Sequence, residues 1–397
     1  MPGNRVLIIS GSAGLGHVTR DLAIARRLRE IDDRIEIDWL AGGPACRVLR
    51  EAGENLLPEA TDYVDLTHYA ENVHGTVLDY ANAIHGIDAR NAQLSVRVAN
   101  AGCYDAVVGD EVYYLCDRLV KHPDELRWPL VMLVDFFGAD VAKHTLREHL
   151  IAFDFNWCWL RWDRRLFRDS RNRCLFVGEL EDVADRGLIA GLPRRRRHAR
   201  RYFTFVGAVL PFDPSEWSDR LGARALLGYD DRPLIVATIG GTAVGRKLLG
   251  LFQAAHPLIR QQLPDARMVL VCGPNVDPGS LSLCDGVEAR DYVPDLYQHL
   301  AACDVAIAQG GGTTAMELAA LRRPFIYLPL EGHFEQEGSV APRLERQKAG
   351  VRMAPSRTSP EALATAVLSL YGTTPDYPPI GADGARRAAQ IILSVIS

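Results

Sequence analysis

Short apolar runs that end on glycine or an acidic residue, each followed by a stretch of helical periodicity, recur along the whole chain. In the first half they cover residues 5–10, 35–40, 104–109 and 128–134. In the second half they cover 233–239, 266–273, 304–308 and 325–329, while 287–294 reads as a short strand and loop. Runs of this length, apolar throughout, are buried strands of a parallel sheet. The segments between them carry helix stripes, such as Leu22, Ala23, Ile24 and Leu28 after the first run, and a helix from Arg246 to Leu263. The repeated strand–helix alternation predicts an α/β protein with parallel sheets. After a further strand over 203–207, Pro211, Phe212, Asp213 and Pro214 make a stiff crossing and the pattern starts again. The boundaries this predicts are a domain over 1–208, a linker over 209–218, a second domain over 219–380 and a terminal helical segment over 381–397, with its helix from Ala382 to Ile396.

Chemistry collects where the strands end. The run at 304–308 is followed by Gln309, Gly310, Gly311 and Gly312. Three glycines allow positive φ and close approach of a bulky ligand, and Thr313 and Thr314 are placed to cap a helix starting near Ala315. Free N–H groups at a positive helix end bind phosphate without a cationic side chain. Glu317, read as a first-turn residue, reaches back across the loop with a carboxylate suited to the paired hydroxyls of a ribose. One strand further on, Glu335 and Gln336 form an acid–amide pair aimed at the same crevice, with His333 just before them. The loop Gly240, Gly241, Thr242 and Ala243 answers from a neighbouring strand end, and two such loops can bracket a diphosphate.

In the first half the opening strand runs into residues 11–20, which hold Gly11, Gly14, Gly16 and His17. The spacing is not GxGxxG, so a nicotinamide or flavin site is not expected. A histidine at a helix mouth beside a strand end is well matched to taking a proton from an alcohol, although an isolated loop histidine also serves as a cap or packing residue. Asp110 and Glu111 close the strand over 104–109, and Asp135 closes that over 128–134 beside Phe136 and Phe137, aromatics that either shape an acceptor pocket or join the core. His68, His74 and His85 lie in a polar stretch with no metal-ligand spacing.

A net charge of -5 over 397 residues argues against nucleic acid as an obligate partner, and eight scattered cysteines without a CxxC pair fit free thiols in a reducing cytosol. No apolar run approaches the ~20 residues that span a bilayer, so membrane contact would be peripheral. Trp157, Trp159 and Trp162 alternate with arginines between 161 and 173, which suits a lipid headgroup surface and equally a helix with solvated arginines. Arg194 to Arg197 read as an exposed loop.

The glycine loop with Glu317 and the Glu335–Gln336 pair resemble the donor half of nucleotide-sugar glycosyltransferases of the GT-B fold, two facing Rossmann-like domains. The likeness is to family 28, which holds the peptidoglycan N-acetylglucosaminyltransferases, and more distantly to the UDP-glycosyltransferases. It implies that Glu317 holds the ribose, that Gln336 binds sugar hydroxyls, and that backbone near Tyr292 and Val293 pairs with the uracil edge. It also implies that His17 is the base for the acceptor with Asp110 as its partner, Glu111 standing second, and that the last helix packs back on the first domain. Plant relatives carry a phosphate-binding histidine where this chain has Gln309, which leaves the phosphates to backbone amides and to His333.

These readings together predict an inverting, metal-independent hexosyltransferase with no cofactor, whose donor is a nucleoside-diphosphate sugar, UDP-linked first of all. The acceptor is a small or lipid-linked hydroxyl or amine held by the first domain, where Gly16, Glu111, Asp135 and Phe136 line its side. Localisation would be cytoplasmic or peripheral at the inner membrane face. A nucleotide-sugar hydrolase or epimerase, and a nucleotide-binding subunit without chemistry, are the rival readings.

Overall fold

In the computed structural model of the chain, residues 3–10, 14–66, 86–141, 145–168, 171–188, 191–241, 245–333 and 335–396 are described. The chain divides into two compact units, Met1–Pro211 together with Asp383–Ser397, and Phe212–Ala382.

The first unit holds strands β1 (Arg5–Ser10), β2 (Glu36–Ala41), β3 (Asn55–Leu56), β4 (Ala106–Asp110), β5 (Leu130–Val134), β6 (Arg173–Val177) and β7 (Phe203–Gly207). They form one parallel sheet in the order β3-β2-β1-β4-β5-β6-β7. The apolar runs are strands because both faces are covered: Val6, Leu7, Ile8 and Ile9 are sealed from solvent, as are Val107, Leu130 and Val131. The helix Leu15–Ile31 lays Val18, Leu22, Ile24 and Leu28 on the sheet. The helix Gly384–Ile396 returns from the chain end and packs on Leu15–Ile31, burying Ala385, Ala388, Ala389 and Ile392. The terminal helix therefore belongs to the first unit, as the sequence implied.

The second unit repeats the design with β8 (Leu234–Thr238), β9 (Arg267–Val271), β10 (Val287–Arg290), β11 (Val305–Ala308), β12 (Phe325–Tyr327) and β13 (Val351–Arg352), ordered β10-β9-β8-β11-β12-β13 and parallel throughout. Its core sets Ile235, Ala237, Met268, Leu270, Val305 and Ile307 against Leu249, Phe252 and Ile259 of the helix Arg246–Arg260. In both sheets the chain builds outward from the first strand in one direction and then in the other. The reversal falls between β1 and β4 and between β8 and β11, which is where open α/β sheets take ligands.

One expectation about the basic segments changes. Arg195 is buried, not exposed, because it starts the helix Arg195–Tyr202 and its guanidinium turns inward to Asp140, with Nη2 2.5 Å from Oδ1 and 3.2 Å from the Ala139 carbonyl. Arg196 likewise donates to the carbonyls of Val183 and Glu181. In the helix Leu146–Leu166, Trp159 and Trp162 are core residues, whereas Arg164 and Arg165 are exposed. Leu146, Leu150, Phe153 and Trp157 also stand in solvent, a stripe at helical spacing. The eight cysteines are free, five of them buried and Cys103 exposed. Among the described residues no helix is long and apolar enough to cross a membrane.

Candidate functional site

In the first unit the expected residues gather at the reversal point. His17 is on the first turn of the helix Leu15–Ile31, which leaves β1 through Gly14 and Gly16, with Gly14 at φ 88° and no side chain capping the helix. Asp110 is the last residue of the neighbouring β4 and is fully buried. His17 Nδ1 lies 3.2 Å from Asp110 Oδ2, so the two meet as expected. Glu111 follows in the left-handed region at φ 52°, a strained conformation for this residue of the kind that persists where a site requires it. Asp135, at the end of β5, takes a weak hydrogen bond into the same group, its N–H donating to Glu111 Oε1 at 3.4 Å. Phe136 packs edge-on against Tyr113 and Trp159 at 6.0 and 5.4 Å and is half-buried, whereas Phe137 is in the core.

Sequence reading missed the cation that organises this cluster. Arg20 donates from Nε to Asp110 Oδ2 at 2.6 Å, from Nη1 to Asp135 Oδ2 at 2.6 Å and from Nη2 to Asp110 Oδ1. Its Nη2 also lies 2.9 Å from His17 Nδ1. Burial alone would push Asp110 and Asp135 up, but Arg20 and then His17 outweigh it and hold both below the usual carboxylate range. Glu111 and Asp21 go the other way. Burial, joined by the charge of Asp135 for one and of Asp110 for the other, raises both well above the ordinary value. The readable signal was Arg20-Asp21 itself, a charged pair interrupting an apolar helix three residues after the loop histidine.

In the second unit, the loop after β11 starts the helix Gly312–Ala320. Its geometry corrects three expectations. Thr313 and Thr314 are inside the helix rather than capping it, because Gly311 takes the cap position and no side chain bonds the first turn. Of the three glycines only Gly310 has positive φ, at 93°, where Pro329 of the next strand end presses against it; Gly311 is extended. With the helix starting at Gly312, Glu317 falls in the second turn and is buried. Burial, and then the charge of Asp295, push its carboxyl up to about 8. Asp295 follows Tyr292 and Val293 in the loop leaving β10, so that half-buried pair and Glu317 share one neighbourhood.

The other residues expected on the donor side lie in the loops after these strands. Gly240 follows β8 at φ 76°, and Gly273, after β9, passes so close that a Cβ there would lie 2.2 Å from the Gly240 carbonyl oxygen. Asn275 Nδ2 donates to the Gly241 carbonyl at 3.3 Å. Gln309 is buried, and its Oε1, which has no hydrogen-bond partner among the described residues, sits where a Cβ on Gly245 would be. That contact joins the loops after β8 and β11. Thr242 lies outside the described residues, as do His68, His74 and His85. Glu335 Oε1 would be 3.6 Å from a Cβ on Gly312. Gln336, buried at the start of a π-helical turn over Gln336–Val340, accepts the Leu330 N–H at 2.8 Å through Oε1. His333 Nδ1 faces the Gln336 N–H at 3.4 Å, and burial lowers the pKa of its ring.

Comparison with known proteins agrees with this geometry. Residues 235–379 match the model of the glycosyltransferase family 28 C-terminal domain. An uncharacterised glycosyltransferase of Methanopyrus kandleri is 29% identical over 194 residues, 48% of this chain and 54% of that one, so the match spans about half the relative's length. The UDP-N-acetylglucosamine–N-acetylmuramyl-(pentapeptide) pyrophosphoryl-undecaprenol N-acetylglucosamine transferase of Paenarthrobacter aurescens is 32% identical over 380 residues, 92% of this chain and 87% of that one. In fold, the glycotransferase of kitacinnamycin superposes with a TM-score of 0.61 at 16% identity, covering 100% of this chain and 97% of its own. The fold is GT-B, and the chain belongs to glycosyltransferase family 28.

Proposed function

We propose that the protein transfers a sugar, with inversion, from a nucleoside diphosphate to a hydroxyl or amine of an acceptor, with UDP as the carrier. The observation that carries this reading is the end of β11: an uncapped helix N-terminus of glycine-bared N–H groups, followed by a buried Glu317. The N–H groups and the positive helix end suit a diphosphate, and stabilise the charge it gains as the bond to the sugar breaks. They supply electrostatically what a divalent ion would otherwise supply, so no cofactor is needed in this reading. Ribose hydroxyls donating to Glu317 would favour its charged form, and Gln336 and Glu335 stand one strand away for the sugar. In the first unit His17 takes the acceptor's proton as the acceptor atom attacks the anomeric carbon, and the electron pair of the broken bond leaves with the diphosphate. Asp110 steadies the imidazolium that forms.

The choice of UDP and of a lipid-linked acceptor rests on the Paenarthrobacter relative, whose name specifies both. The helix Leu146–Leu166 favours an acceptor met at a membrane surface. Leu146, Leu150, Phe153 and Trp157 form one exposed face, the last two with rings stacked at 6.4 Å, and Arg164 lies exposed further along the same helix. Apolar anchors beside arginines suit an anionic bilayer approached from a reducing compartment, where eight free thiols also belong.

Three outcomes are expected. His17→Ala retains UDP affinity and loses roughly 100-fold or more in transfer rate, while Glu317→Ala weakens donor binding; equal loss of UDP binding in both, or release of UDP and free sugar at the same rate without acceptor, contradicts the assignment. Glu317, raised to about 8, adds stability that is complete below its unfolded pKa of about 4.3 and is lost as pH rises through 8. Chemical denaturation across pH 5 to 9 should therefore show the wild type losing up to about 1.4 kcal/mol per pH unit relative to Glu317→Gln, and parallel curves would refute a buried neutral Glu317. Sedimentation with vesicles containing anionic lipid should capture the wild type and not Phe153→Asp/Trp157→Asp; equal capture of both removes the surface from the account.

A further inference from the structure

The proposed base has a neighbour whose role no part of that assignment uses. His17 and Arg20 are three residues apart on the helix Leu15–Ile31 and so share a face, and that face meets the ends of β4 and β5. Arg20 is 5% exposed, yet it makes contacts to Asp110, Asp135, Glu111 and His17 at once. The atoms of His17, Asp110 and Glu111 that point together lie within 4.8 Å of one another, and the cation among them is Arg20. The Asp110 carboxylate is gripped through both oxygens, a fork geometry that a lysine cannot reproduce. Asp110 can therefore meet His17 in one orientation only.

Arg20 and then His17 hold the carboxyls of Asp110 and Asp135 below the usual range, whereas burial raises those of Glu111 and Asp21 well above it. Tyr113, from the helix Tyr113–Lys121, stays protonated for the same reason. The terminal helix packed on Leu15–Ile31 turns alanines and Ile392 inward while Arg386 and Arg387 face solvent. Without Arg20 the ring would face the carboxylates of Asp110 and Asp135 with no cation beside it.

We propose that Arg20 is a positioning residue for the base: it fixes Asp110 against His17 Nδ1 and sets a cation beside the ring against the carboxylates of Asp110 and Asp135. This rests on the reading of His17 as the base, and it can be tested apart from turnover and before the acceptor is known.

The test is an NMR titration of histidine side chains in the full chain, with the His17 signal assigned by its loss in His17→Gln. Arg20→Gln should move the His17 midpoint upward by about one pH unit or more, because a neighbouring cation has been removed. Arg20→Lys, which retains the charge, should hold it within about half a unit of the wild type. An unmoved midpoint in folded Arg20→Gln overturns the proposal, since a purely structural arginine would not govern titration. Should Arg20→Gln fail to fold, Asp135→Asn gives the opposite check: removing one facing carboxylate lowers the midpoint, and no change or a rise overturns the proposal. If the shifts occur but His17→Gln retains full turnover, the coupling of Arg20 to His17 stands and the assignment of His17 as base falls.

Discussion

A parallel sheet extended first to one side of its opening strand and then to the other sends adjacent chain connections to opposite faces at the point of reversal. Strand ends and helix N-termini meet there, and the candidate site residues of this protein gather at two such points. In the first unit the point lies between β1 and β4 and receives His17, Arg20 and Asp110. In the second it lies between β8 and β11 and receives the two glycine loops joined by Gln309. The topology fixes where chemistry can be placed; the side chains decide which chemistry it is.

The two points solve opposite electrostatic problems. At β1 and β4 carboxyls crowd one histidine, and a single arginine lies against Asp110, Asp135 and Glu111, holding the first two below the usual carboxylate range. At β8 and β11 an uncapped helix end offers backbone N–H groups, and burial and then Asp295 push the carboxyl of the buried Glu317 up to about 8. Ligand hydroxyls that favour the charged form of Glu317 would act against that shift. Nucleotide binding and the protonation of one buried acid are therefore linked in this account.

The parts of this arrangement legible in the sequence were those that depend on local pattern. Apolar runs gave the strands, glycines after them gave the loops, and residue type at a strand end picked out His17, Asp110 and Glu317. Contacts made across the fold were not legible. The role of Arg20 was not assigned, because its partners Asp110 and Asp135 are 90 and 115 residues away. Arg195 looked exposed because Asp140, which draws it inward, is 55 residues distant. Thr313 and Thr314 were misplaced by a shorter margin: Gly311 starts the helix early, which also carries Glu317 one turn deeper.

The central claim is that the second unit binds a uridine diphosphate through backbone amides and Glu317. Calorimetric titration with UDP, TDP, GDP and NAD, with and without magnesium, tests it most directly. The account predicts that UDP binds tightest, with the same affinity whether or not magnesium is present. Failure of UDP to bind while NAD or another nucleotide does would contradict it, and the roles given to Glu317 and Gln336 would fall together.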